Sequence, residues 1–208
     1  MYISINNELW RIISVDKDNT IKIIRNETND EFYWNEYSPN WENGDLKNHL
    51  NNEYINEITT NTDKIIDKEF KIGSALNNND DLIEQIKEEG SKIWTGKIGL
   101  PTASEYLRAN SNASQCETMK KEITNSDICL KTNWMQNLVN ENEQTWTITP
   151  YFSSSGLNNN SVYVIQAGRE LVSQSCYGTI FYSPVLNLSS DIKLEGKGTI
   201  KEPFEIVG

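Results

Sequence analysis

Residue runs that favour extended backbone crowd into the two ends of this 208-residue chain, and that distribution constrains the fold more than any other feature. Near the C-terminus, Trp146, Ile148, Val162, Val164, Val185 and Leu186 are types that fill the buried side of a sheet, while the threonines, serines and asparagines between them suit a solvated side. Thr145 to Thr149 alternates, and Ser161 to Gln166 and Leu171 to Ser175 flank the turn Ala167-Gly168-Arg169-Glu170. Thr179 to Leu188 reads as one long strand whose Pro184 belongs at an edge or bulge. Near the N-terminus, Leu9 to Val15 and Thr20 to Arg25 form a hairpin around the turn signal Asp16-Lys17-Asp18-Asn19. A lone hairpin is too small to be stable in water, so the rest of the chain must cover its apolar side.

Between these ends the signals are helical. Asp45 is placed to cap a segment with Leu46, Leu50 and Tyr54 on one face, and Asp80 or Asp81 to cap another that carries Leu82, Ile83 and Ile86 and stops at Gly90. Thr102 followed by Glu105 is a capping-box pattern opening a helix through Tyr106 and Leu107, and a short helix around Trp134 to Leu138 follows Asn133. Trp94 and Leu100 flank Thr95-Gly96-Lys97-Ile98-Gly99, a compact strand or turn. The aromatic, acidic stretch Glu31 to Trp41 reads as a loop pinned by buried rings, with a binding surface as the alternative. No internal repeat or long linker divides the chain, so residues 1–208 are expected to form a single α+β domain with antiparallel strands from both ends and helices in the middle.

A net charge of −11 excludes a nucleic-acid backbone or an anionic membrane as the main partner, since either needs a basic face, and no lysines and arginines cluster into a run. A local basic patch is compatible with this balance. No stretch reaches the roughly 18 apolar residues of a bilayer span, so no membrane contact by this stretch itself is expected. The start, Met1 to Asn7, lacks the regions of a signal peptide. Taken alone that suggests the cytosol; an excised soluble part of a longer surface protein reads the same way.

Cys116 and Cys129 bracket a polar loop with little apolar material to hold it down, where a disulfide would contribute about 3 kcal/mol in a chain-entropy model. Cys176 is left over, and three reduced thiols are the alternative. No CxxC pair or suitably spaced His accompanies them, so zinc is not expected. The one histidine, His49, reads as exposed and uninvolved. Cys176 reads as a partly buried thiol in a polar turn, and the pairs Asp80-Asp81 and Glu88-Glu89 as helix ends or surface. Asn77 to Asp81 offers oxygen ligands for calcium, with helix capping and solvation as the plainer reading. No cofactor is expected.

Several of these segments together resemble a family of bacterial surface domains, the DUF6273 type. The resemblance rests on Leu9-Trp10-Arg11-Ile12-Ile13, Trp94-Thr95-Gly96-Lys97-Ile98-Gly99-Leu100, Ser104-Glu105-Tyr106, and Cys116 and Cys129 followed by Asn133-Trp134-Met135. It continues through Trp146-Thr147-Ile148-Thr149-Pro150, Ser183-Pro184-Val185-Leu186-Asn187-Leu188 and Gly198-Thr199-Ile200-Lys201-Glu202-Pro203-Phe204, so it covers nearly the whole chain. It implies a fold similar to the C-type-lectin-like and formylglycine-generating-enzyme-like group, with paired terminal strands and late loops that display a ligand surface. It also implies a pilin-like or other surface protein whose anchoring helix is missing here. Two departures limit the transfer: Ser183 stands where the family usually has Arg, and neither the paired active-site cysteines nor the lectin calcium motifs have a counterpart.

These features point to a non-catalytic extracellular recognition or adhesion domain at the cell surface, binding a protein or glycan ligand or pilus subunits. A structural filament-assembly subunit, and an enzyme using Cys176 or acidic residues on the same scaffold, are the alternatives. Ligand contacts are expected in the loops Tyr151 to Asn160 and Gln174 to Tyr177, with Tyr151, Phe152, Asn158, Gln174 and Tyr177 as the binding residues; rings tucked into the core would be the bland outcome.

Overall fold

The two chain ends meet in one sheet. The computed structural model describes residues 1–28, 30–76, 82–117, 126–152, 160–169 and 171–207. Its largest sheet runs in the order Lys193–Glu195, Phe204–Val207, Tyr2–Ile5, Glu8–Val15, Ile21–Arg25 and Val185–Leu188, and the last of these also pairs with Ile65–Ile66 and Ile98–Gly99. Ile23 lies opposite Leu186 and Ile24 opposite Val185, on the two faces of the sheet in turn, and all four are fully buried, so the N-terminal hairpin and a late strand are covered on both faces here. Most pairings are antiparallel, but Tyr2–Ile5 runs parallel to Phe204–Val207, a departure from the all-antiparallel expectation. It arises because Tyr2–Ile5 folds back onto Glu8–Val15 through Asn6 and Asn7, both at positive φ (58° and 61°), leaving its outer edge for the chain terminus.

A second sheet, in the order Val172–Ser175, Ser161–Gln166, Gln144–Phe152 and Ala75–Leu76, packs with the first. A run of rings leads from this sheet through the acidic loop to the strand Ile93–Gly96: Trp146 meets Trp34 at 5.8 Å, Trp34 meets Trp41 at 5.1 Å, and Trp41 meets Trp94 at 5.8 Å. Trp34 and Trp41 thus anchor the acidic aromatic loop, as its composition suggested, while Tyr37 stands in solvent. Trp94 folds over Gly96, where a Cβ would sit 2.2 Å from its ring, and Phe70 covers Gly99, where a Cβ would sit 2.6 Å away. The glycine spacing of that segment is therefore a packing requirement.

The middle of the chain mixes helices with short strands, Lys68–Lys71 against Ile93–Gly96 among them, so helices do not dominate it. Asp45–His49 continues as a π-helical turn, Leu50–Tyr54, and then Ile55–Glu57, with Leu46, Leu50 and Tyr54 buried as the periodicity implied. Asp45 is not its cap: Gly44 holds that position, and the Asp45 carboxylate accepts from the Glu36 N–H at 3.2 Å. The capping box forms as expected at Ala103–Arg108, the Thr102 hydroxyl accepting from the Glu105 N–H at 3.1 Å and the Glu105 carboxylate from the Thr102 N–H at 2.9 Å. The 3₁₀ turn Trp134–Leu138 is capped by Asn133, which accepts from the Met135 N–H.

Three expectations fail wholly or in part. Thr179 to Leu188 is two short strands, because Phe181 to Pro184 break the ladder and Pro184 offers only its carbonyl, to the Arg25 N–H at 3.0 Å. Helix Leu82–Glu89 half-buries Leu82 and Ile86 as read but leaves Ile83 exposed and turns Gln85 and Glu89 fully inward, so the apolar face read from its sequence is only partly the buried one. Thr145, Thr147 and Thr149 are fully buried instead of solvated, because the helical layer covers that side of the sheet. The caps Asp80 and Asp81 lie outside the described residues.

Cys116, ending helix Ala113–Cys116, and Cys129, in helix Asp127–Thr132, form the disulfide, with Cα atoms 5.5 Å apart, and Cys176 is free and buried. Non-reduced peptide mapping is expected to recover a Cys116–Cys129 link with Cys176 alkylated only after unfolding. Replacing both bridged cysteines by Ser should cost about 3 kcal/mol in urea unfolding. Among the described residues no helix is long and apolar enough to cross a membrane.

Candidate functional site

Those of the residues expected to bind ligand that the structure describes gather at one end of the second sheet. Tyr151 and Phe152 end the strand Gln144–Phe152, and Gln174 pairs with Val162, which in turn pairs with Pro150. The Cys176 N–H donates to the Asn160 carbonyl at 2.9 Å, which brings Tyr177 to the same end. Phe152 and Tyr177 are exposed, at 43% and 59%. Tyr151 instead packs edge-on against the buried Tyr163 at 5.2 Å, and Gln174 is half-buried within its strand. Asn158 and the rest of 153–159 lie outside the described residues, as does the calcium candidate Asn77 to Asp81. Phe152→Ala and Tyr177→Ala are each expected to shift unfolding by no more than about 0.5 kcal/mol, and Tyr151→Ala by about 2 kcal/mol, in urea titrations.

A concavity opens elsewhere. A cleft of about 540 Å³ lies between the end of the N-terminal hairpin, the strand Lys68–Lys71, the helix Ala103–Arg108 and Trp134, a size that suits a small ligand. Five cationic side chains line it, Lys17, Lys22, Lys68, Lys71 and Arg108, against three carboxylates, Asp16, Glu69 and Glu105. Lys22 is paired with Glu105, and Lys68 with Asp18 and, at 3.6 Å, with Asp16. Hydrogen bonds from Lys68 and then Thr20 hold the Asp18 carboxyl far below the usual carboxylate range. Lys17, Lys71 and Arg108 are exposed and make no ion pair among the described residues. The Arg11 guanidinium lies 4.0 Å from the ring centre of Trp134, so one face of that ring is stacked while the side chain still lines the cleft. The cations come from three separate segments, the hairpin, the strand Lys68–Lys71 and the helix Ala103–Arg108, which is why no basic run marks them in sequence.

Behind the cleft floor sits Glu89, with no exposed surface. Its Oε1 accepts from the Gln85 side-chain amide at 3.3 Å, the Ser104 N–H at 3.0 Å and the Thr149 hydroxyl at 2.9 Å, and its Oε2 accepts from the Ser104 hydroxyl. Thr149 also accepts from the Ala103 N–H at 3.0 Å. No cation touches this carboxylate among the described residues, and burial pushes its pKa up, opposed by the hydrogen bonds from Ser104 and Thr149. The sequence reads Glu88-Glu89 as a helix end or surface; Glu89 does end its helix, but buried. The four-residue spacing of Gln85 and Glu89 was the available signal, a polar stripe of helix matched by the threonine stripe of the strand.

His49 is neither exposed nor uninvolved. Its ring stacks on Phe32 at 4.4 Å, and Nδ1 lies 3.0 Å from the Glu53 carboxylate and Nε2 3.0 Å from the Tyr182 hydroxyl. The neutral tautomer that donates from Nδ1 accepts at Nε2, so the side chain ties the helix to the Phe32 strand and the buried Tyr182. Cys176 is more buried than expected, and burial raises its thiol pKa, which disfavours the nucleophilic thiolate. A second depression of about 440 Å³ has the opposite polarity, with Glu8, Glu57 and Glu143 on its walls, Glu8 being held by Arg25 at 3.1 Å. No group of three or more His, Cys, Asp or Glu is disposed to hold a metal among the described residues. Compared with protein-family models, curated proteins and solved structures, the chain matches none.

Proposed function

We propose that this chain is a non-catalytic recognition domain of a bacterial cell surface, the head of a pilin-like or other surface protein with a C-type-lectin-like fold, and that it takes an anionic group of a glycan or protein in the cleft beside Trp134. The observation that carries the reading is the cleft itself: a chain of net charge −11 concentrates an excess of cations there and leaves Lys17, Lys71 and Arg108 without carboxylate partners among the described residues. Trp134 adds a ring wall on which a sugar or an apolar side chain can pack. The disulfide and the segment-by-segment resemblance to bacterial surface domains support the extracellular setting.

The test is a binding panel of neutral, uronate-bearing and sulfated oligosaccharides at low and moderate salt. Anionic members should bind and weaken as salt rises. Lys71→Ala with Arg108→Ala should lose at least about tenfold in affinity, roughly 1.4 kcal/mol, with the melting temperature unchanged. Equal binding by the double variant would remove the cleft from consideration. Binding lost instead on replacing Phe152 and Tyr177 would return the site to the end of the second sheet.

A further inference from the structure

We infer that Glu89 is a proton-operated selector for the cleft: taking up a proton on its Oε2 releases the hydroxyl hydrogen of Thr102 toward the cleft and strengthens the binding of an anionic ligand there. This rests on the cleft being the ligand site, and it adds to that reading a residue that never touches the ligand.

Oε1 of Glu89 is saturated by three donors, one of them a backbone N–H that cannot reverse. Oε2 has a single described partner, the Ser104 hydroxyl, and that hydroxyl lies 3.0 Å from the hydroxyl of Thr102. With Glu89 ionised, Ser104 must donate to Oε2, so Thr102 donates to Ser104 and its hydrogen is committed. With a proton on Oε2, Glu89 donates to Ser104, Ser104 turns its hydrogen to Thr102, and Thr102 is free to donate elsewhere. The Thr102 oxygen keeps its bond from the Glu105 N–H in both states. No hydrogen bond is lost on protonation; a two-link chain reverses direction.

Thr102 and Ser104 both line the cleft, so the reversal changes the floor that a ligand meets. The neutral state also removes a negative charge from behind that floor. Both effects favour an anion. Glu89 joins helix Leu82–Glu89, helix Ala103–Arg108 and the strand Gln144–Phe152, and the titratable groups facing it from packed elements are Glu105, itself held by Lys22, and Tyr163. Glu105 opposes ionisation of Glu89, in the same direction as burial. On its own helix, Lys87 is bound to Glu84 at 3.2 Å and does not reach it. By linkage, an anion that prefers the protonated state must itself draw a proton onto Glu89.

A heparin-derived hexasaccharide, whose sulfates stay charged throughout, is the probe. Its affinity for the parent should rise as pH falls through the Glu89 titration, by up to about tenfold per pH unit, with net proton uptake seen by calorimetry in buffers of different ionisation enthalpy. Glu89→Gln, which donates permanently from the Oε2 position, should bind at the parent's acid-side level with that pH dependence gone. Carbon-detected NMR of the Glu89 carboxyl should show one titration, followed at the same midpoint by the amides of Ser104 and Glu105. A Gln variant that keeps the parent's slope, or amides that ignore the carboxyl, would overturn the inference. Absence of any probe binding, with the amides still following Glu89, would instead overturn the cleft as the ligand site and confine Glu89 to a structural titration, which also ends the selector role.

Discussion

Deletion of residues 1–25 is expected to leave a chain with no cooperative melt. Ile3, Ile5, Trp10, Ile23 and Ile24 are buried to within 1% and would all be lost. At about 2 kcal/mol for each large apolar side chain, their burial contributes on the order of 10 kcal/mol, comparable with the entire stability of a typical domain. The loss extends to the sheet, since Val185–Leu188 would keep only the two-residue strands on its far side and Phe204–Val207 would lose Tyr2–Ile5. Two four-residue edges would then stand open, and association should accompany unfolding. Circular dichroism of the truncated chain decides the matter; a sharp transition near that of the parent would show that the two ends fold independently.

What the sequence disclosed follows from where its signals were local. The hairpin around Asp16 to Asn19, the Thr102 capping box and the short helical turn that follows Asn133 each lie within a few residues, and each formed as read. The strand Tyr2–Ile5 escaped because Asn6-Asn7, without a glycine, does not advertise a tight turn although both residues adopt it. Lys68–Lys71 carries one apolar residue, Phe70, and owes its pairing to Trp94 across the strand, a contact invisible to periodicity. The site was the least legible part. Alternation correctly separated Trp146 and Ile148 from Thr145, Thr147 and Thr149, yet which side meets solvent depends on what covers it. Here the cover is a helix that turns Gln85 and Glu89 inward, so two polar stripes satisfy each other and neither resembles a core. Lys17, Lys71 and Arg108 become neighbours of one cleft only after the hairpin, a middle strand and a helix have packed.

Glu89→Leu should destabilise the protein by about 4 kcal/mol, whereas Glu89→Gln should leave it at least as stable as the parent above neutral pH. Leucine removes the acceptor of the Ser104 N–H, the Thr149 hydroxyl and the Gln85 amide, and each donor left unsatisfied in a dry site costs about 1–3 kcal/mol, eased where a hydroxyl can turn away. Glutamine keeps an oxygen at Oε1 for all three and places an amide at Oε2 that donates to Ser104, so only the charge is lost. The pH dependence separates charge from packing. Burial raises the folded-state pKa of Glu89 above its unfolded value, so its contribution is fully present below the unfolded pKa and lost as pH rises through the folded one. The parent should therefore weaken relative to Glu89→Gln on going from acid to alkaline pH, the gap opening from near the ordinary carboxylate value and levelling above the folded pKa. Glu89→Leu should share the flat profile of the Gln variant but lie below it throughout. Urea unfolding of the three proteins across pH reads this directly. Parallel curves for parent and Gln variant would mean that Glu89 carries no raised pKa, and a Gln variant as weak as the Leu variant would mean that the carboxylate charge, rather than its hydrogen-bonding shape, holds the three elements together.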